Sequence, residues 1–155
     1  MKIGFIPLKL RLVLATALVA LLAMAATSPA ATAPSNAKLV KAHLAALAAC
    51  DANALVAGYT KDATLFFPDG VVVQGRAALQ KLYDGFVKSP KEEGLCGLKA
   101  TPLKSWTSGS TSFVKFRVTA PFLAKPYFST DGYVFKGGKI AAEMSTFDAT
   151  KLDFK

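Results

Sequence analysis

The sequence predicts an α+β fold, three N-terminal helices covering one face of a curved antiparallel sheet. Segments with helical spacing come first, residues 38–87, interrupted by one short hairpin. Long alternating segments separated by turn signals come last, 98–147. No internal repeat breaks that order, and helices followed by a meander of strands is the pattern of an α+β domain. At 155 residues, 52% of them hydrophobic, the chain has the size and composition of a single folded domain and excludes a disordered or fibrous one.

Along the chain, Ser35 or Asn36 can cap a first helix over Lys38–Ala49, in which Leu39, Val40, His43, Leu44 and Leu47 recur at helical spacing. Asp51 can cap a second, shorter helix over Ala52–Tyr59. The period then changes. Ala63–Phe67 and Val71–Gln74 read as a hairpin about Pro68-Asp69-Gly70, and Gly75 ends it. Arg76–Val87 returns to helical spacing, with Leu79, Leu82, Tyr83 and Phe86 on one stripe. Leu98–Thr107 and Thr111–Ala120 flank a Ser-Gly-Ser turn. The second of them alternates, with Val114, Phe116 and Val118 on one face and Lys115, Arg117 and Thr119 on the other. Pro126–Phe135 and Ile140–Phe147 flank Lys136-Gly137-Gly138-Lys139.

The first 35 residues carry no fold signal. Lys2, Lys9 and Arg11 precede an apolar run, Leu12–Ala26, and then a small-residue tract, Ala25–Ala33. That order describes a secretory signal over residues 1–30, cleaved between about 25 and 33, followed by a linker to residue 35. Fifteen apolar residues span only ~22 Å, short of the ~30 Å needed for an anchor. The domain is therefore expected over 36–150, exported to periplasm or medium with no stable membrane anchor after cleavage. Cleavage lowers the formal charge from +9 to +6. The remaining cations are scattered, whereas nucleic-acid binding needs a concentrated basic stripe. Cys50 and Cys96, the only cysteines, are either bridged, as export favours, or two separate buried thiols. A single histidine and no C-x-x-C argue against zinc. P-loop, G-x-G-x-x-G and G-x-S-x-G motifs are absent, and no cofactor is expected.

Two polar residues stand on apolar patterns. Tyr127, Ser129, Asp131, Tyr133 and Phe135 share one strand face. If that aromatic face turns inward, so does Asp131, a costly placement unless it pairs or lines a pocket. A later strand start would instead leave it in a turn. His43 lies within the first helix's apolar stripe, either as a hydrogen-bonded core residue or as a functional group.

The stretch from His43 to Tyr83 carries Asp51 after the first helix, Tyr59 at the end of the second, Lys61-Asp62-Ala63-Thr64, Pro68-Asp69-Gly70 and Gly75-Arg76-Ala77-Ala78-Leu79. In order and spacing it resembles the nuclear transport factor 2-like superfamily, which includes SnoaL-like polyketide cyclases and ketosteroid-isomerase-like proteins. The closing FKGGKIAAEMSTFD resembles the same family's last hairpin. The resemblance covers about residues 36–148. It implies a cone-shaped fold around an apolar pocket, for which Tyr59, Phe67, Tyr83, Phe116 and Tyr133 are the candidate lining. It places His43 where ketosteroid isomerases carry an oxyanion-hole tyrosine, Asp131 on their late-strand aspartate, and Phe67 on their general base. Phenylalanine accepts no proton, so that mechanism does not transfer. The expected role is binding a small, largely apolar molecule, with His43 and Asp131 as polar anchors. The alternative is a proton-transfer enzyme of isomerase, hydratase or cyclase type, with His43 as acid or base near physiological pKa and Asp131 orienting it. A further alternative is a homodimerisation module, which Lys115 and Arg117 on the outer sheet face disfavour.

Overall fold

A computed structural model describes residues 35–155. The expected signal segment, residues 1–30, and the linker up to residue 34 lie outside them. Helix α1 is Asn36–Ala48, and the Ser35 hydroxyl accepts from the Lys38 amide as its cap. Helix α2, Ala52–Ala57, starts at Asp51, whose side chain accepts from the Ala54 amide at 2.9 Å. Strand β1, Tyr59–Phe66, turns at Pro68–Gly70 into β2, Val72–Gln74. Helix α3 is Arg76–Phe86. Strands β3 (Lys99–Ser108), β4 (Thr111–Thr119), β5 (Tyr127–Lys136) and β6 (Lys139–Ser145) follow.

The six strands form one open sheet in the order β2-β1-β6-β5-β4-β3. The sheet is mixed rather than purely antiparallel, because β1 runs parallel to β6. Turn signals report only hairpin neighbours, and a parallel pair needs a long connection that leaves no local mark. The same pairing shortens the second helix. Tyr59 opens β1 instead of closing α2, since it pairs with Ile140 and the Ile140 amide donates to the Gly58 carbonyl at 2.9 Å.

The core lies between the concave sheet face and the helices. Leu55, Tyr59, Leu79, Phe116, Tyr133 and Ile140 are its largest fully buried side chains. Burial along β4 alternates as its sequence pattern requires, with Val114, Phe116 and Val118 inward. Cys50 and Cys96 are bridged, with their Cα atoms 5.5 Å apart, tying the α1–α2 corner to the segment before β3. Strand β3 is an exposed edge. Pro102, Lys99 and Lys104 on it discourage pairing with another strand.

Candidate functional site

Between α1, α3 and the concave sheet lies a cavity of about 70 Å³. Period-two alternation in β5 aims Ser129, Asp131 and Tyr133 into it. Helix α1 brings His43, α3 brings Tyr83 and Phe86, and β4 brings Phe116. Phe67, just past β1, and Phe147, just past β6, complete the aromatic rim. Six of the seven residues singled out in the sequence therefore meet on one cavity. Tyr59 is not in its lining but lies fully buried behind it.

The polar groups are few and closely coupled. Asp131 Oδ1 accepts from Ser129 Oγ and Ser145 Oγ, each at 2.9 Å, and from the Thr146 amide at 3.2 Å. Burial first, and the neighbouring Glu143 charge second, push Asp131 up to about 6, against the pull of these three bonds.

Glu143 is the residue the sequence reading missed. It stands opposite Tyr133 in the β5–β6 register and is buried. Tyr59 donates to its Oε2, and the Tyr59 and Tyr83 hydroxyls share a 2.6 Å hydrogen bond. Burial raises Glu143 to about 7, the Tyr59 bond opposing.

His43 is 8% exposed and ringed by tyrosines, its centroid 5.7 Å from Tyr59, 6.3 Å from Tyr83 and 6.0 Å from Tyr133. Burial lowers its pKa to about 4, the Asp131 charge only partly offsetting this. At neutral pH it is an uncharged imidazole, which corrects the expectation of a pKa near physiological pH. Its Nδ1 has no hydrogen-bond partner, and neither has the hydroxyl of Tyr133, which is 0% exposed. Buried polar groups are nearly always paired, so two orphans on one small cavity call for explanation. Among the described residues no cluster of His, Cys, Asp and Glu could hold a metal ion.

The arrangement can hydrogen-bond one neutral polar group inside an aromatic shell. It carries two acids of perturbed pKa and no lysine or arginine. The model of the SnoaL-like domain matches residues 40–143, from the first helix through Glu143. The chain belongs to the SnoaL-like domain family. Among curated proteins none matches it.

Solved structures share this SnoaL-like domain's fold. An uncharacterized cystatin-fold protein from Novosphingobium aromaticivorans is 24% identical, over 74% of this chain and 99% of that one, with a TM-score of 0.59. A nuclear transport factor 2-like protein of unknown function from Cytophaga hutchinsonii is 16% identical, over 77% and 96%, with a TM-score of 0.60. SalBIII, an epoxide hydrolase/cyclase-like enzyme of pyran-ring formation in salinomycin, is 17% identical, over 77% and 95%, with a TM-score of 0.61.

Proposed function

We propose that this SnoaL-like domain is an exported protein that binds a small, largely apolar molecule bearing one neutral oxygen function, a hydroxyl or a carbonyl. The carrying observation is the orphan pair, His43 Nδ1 and Tyr133 Oη, buried on an aromatic cavity. A ligand hydroxyl can accept from Tyr133 and donate to the neutral imidazole, satisfying both. A carboxylate would meet Asp131 and Glu143 with no cation to offset it. The test is NMR titration of the His43 ring with 1-pentanol. Saturable shifts are expected, weakened about 3–10-fold in Tyr133→Phe, the worth of one hydrogen bond. Equal affinity in that variant would remove the orphan pair from recognition. The bridged Cys50 and Cys96 support export, as does the basic-then-apolar N-terminus. A mature mass corresponding to cleavage between residues 25 and 33 is expected.

Catalysis is the second reading, favoured by two buried carboxyls with pKa values near 6 and 7. Asp131, mostly ionised at neutral pH, would take a proton from carbon, and Tyr133 would donate to the oxyanion that forms. His43, neutral and hard to protonate, would position rather than transfer. Deuterium exchange at the α-carbon of a small ketone such as 2-pentanone tests this. Acceleration that Asp131→Asn abolishes supports it, and exchange indifferent to that change removes it. A third reading, a homodimer, is favoured by an apolar row across the outer sheet face and is taken up below.

A further inference from the structure

The cavity that holds the orphan pair is small. Its 70 Å³ is well below the ~300 Å³ at which pockets begin to hold drug-sized ligands. The larger space lies next to it. An open groove of about 490 Å³ runs between α1 and β3, over the inner side chains of β4.

The two spaces adjoin. Inward residues of β4 floor both, Ser112 and Val114 the groove, then Phe116 and Val118 the small cavity. Leu44 and Ala100 line both and form the partition between them. On α1, His43 and Leu47 look into the small cavity, whereas Ala37, Ala45 and Ala48 look into the groove. Those alanines are why the groove exists, because larger side chains there would fill it. Two of the groove's hydroxyls engage each other, Thr107 Oγ1 with Ser112 Oγ at 2.9 Å, and its remaining polar side chains, Lys41, Lys99 and Ser105, are exposed. Its inner wall, Val40, Leu44, Ala100 and Val114, is thus apolar and carries no unpartnered buried polar atom, the complement of the small cavity.

We infer that the groove between α1 and β3 is a tail site, and that the ligand is an elongate amphiphile with a single neutral oxygen head at His43 and Tyr133 and a hydrocarbon chain running past Leu44 into the groove. This rests on the binding role proposed above and adds to it the ligand's shape and a second subsite. The head belongs in the small cavity because an apolar chain there would leave both orphans, His43 Nδ1 and Tyr133 Oη, unpaired. The tail belongs in the groove because the small cavity cannot enclose it.

A 1-alkanol series from 1-pentanol to 1-nonanol, titrated into the purified mature chain by calorimetry, tests the inference. Affinity should rise about fourfold per added methylene while the tail extends along the groove. Ala45→Phe and Ser105→Phe fill the groove from its helix and strand walls. Each should flatten that slope while leaving 1-pentanol affinity within about twofold, and thermal melts identify a variant that fails to fold. A flat slope in the wild type with 1-pentanol bound overturns the tail site alone. So does an unchanged slope in both folded variants. Failure of 1-pentanol to bind the wild type overturns the binding role, and the tail site falls with it.

Discussion

Asp131 and Glu143 face one cavity from adjacent strands, and burial raises both, whereas burial lowers His43. These shifts act on stability with opposite signs. Each acid holds its proton more tightly when folded. The fold therefore loses stability as pH rises, from about 4 to 6 for Asp131 and from about 4.5 to 7 for Glu143. His43 binds its proton more tightly when unfolded, so the fold gains stability from about pH 4 to 6.5. Two losses outweigh one gain, and above pH 6.5 only the Glu143 loss continues. Urea unfolding at pH 5 and pH 8 should show a net loss on the order of 1–3 kcal/mol. Glu143→Gln should remove the part of the fall above pH 6.5. A Gln variant with the wild-type slope there would mean that the carboxyl is not held neutral by its burial.

At the scale of elements, helices and hairpins were legible because capping and periodicity are local. Ser35, Asp51 and the β4 alternation each acted where they stand. Two features were not legible, and both arise from pairing. The parallel β1–β6 contact joins segments some 80 residues apart. An irregularity in the β5–β6 pairing, between Val134↔Ala142 and Phe135↔Ile140, inserts one residue and shifts the alternation of β6. Strict period two puts Ile140 and Glu143 on opposite faces, yet both are buried inward. That single insertion turned a surface-looking glutamate into part of the candidate site. His43 and Asp131 were visible because α1 and β5 keep their periods where those residues stand. The disulfide was left open for a similar reason, since sequence spacing does not give Cα separation. Cys50 sits at φ 54 just past α1, where the Asp51 amide reaches back to the Ala46 carbonyl at 3.0 Å. Such left-handed helix ends favour glycine. Replacing both cysteines with alanine should cost about 3–4 kcal/mol for a closed segment of this length. Cys50→Gly with Cys96→Ala should recover about 1 kcal/mol of that in chemical denaturation. Equal stabilities for the two double variants would show that the corner relaxes out of its left-handed conformation once the bridge is gone.

On the scale of the whole molecule, the sheet has one face covered by helices and one left open. Lys115 and Arg117 on that open face argued from sequence against self-association. Register places a different row beside them. Val72, Phe66, Met144, Gly132, Phe113 and Trp106 are successive partners across all six strands. Trp106 is 47% and Phe113 45% exposed, and Lys104 lies over the indole with its Nζ 5.1 Å from the ring centroid. Gly132 lets the row close up, because a Cβ there would lie 2.8 Å from the Phe113 ring and 3.0 Å from the Met144 methyl. A continuous exposed apolar row is the mark of an interaction surface, and the outer face of a second copy matches it in chemistry. Two copies each near +6 repel, so apolar contact would have to overcome that repulsion and added salt would screen it. Sedimentation of the mature chain should therefore show a dimer that tightens between 50 and 500 mM salt. Phe113→Asp, at an exposed position, should shift it to monomer while leaving the melt within a few degrees. A monomer at every salt and protein concentration would remove self-association, and dimers that loosen with salt would assign the contact to charge pairs rather than to this row.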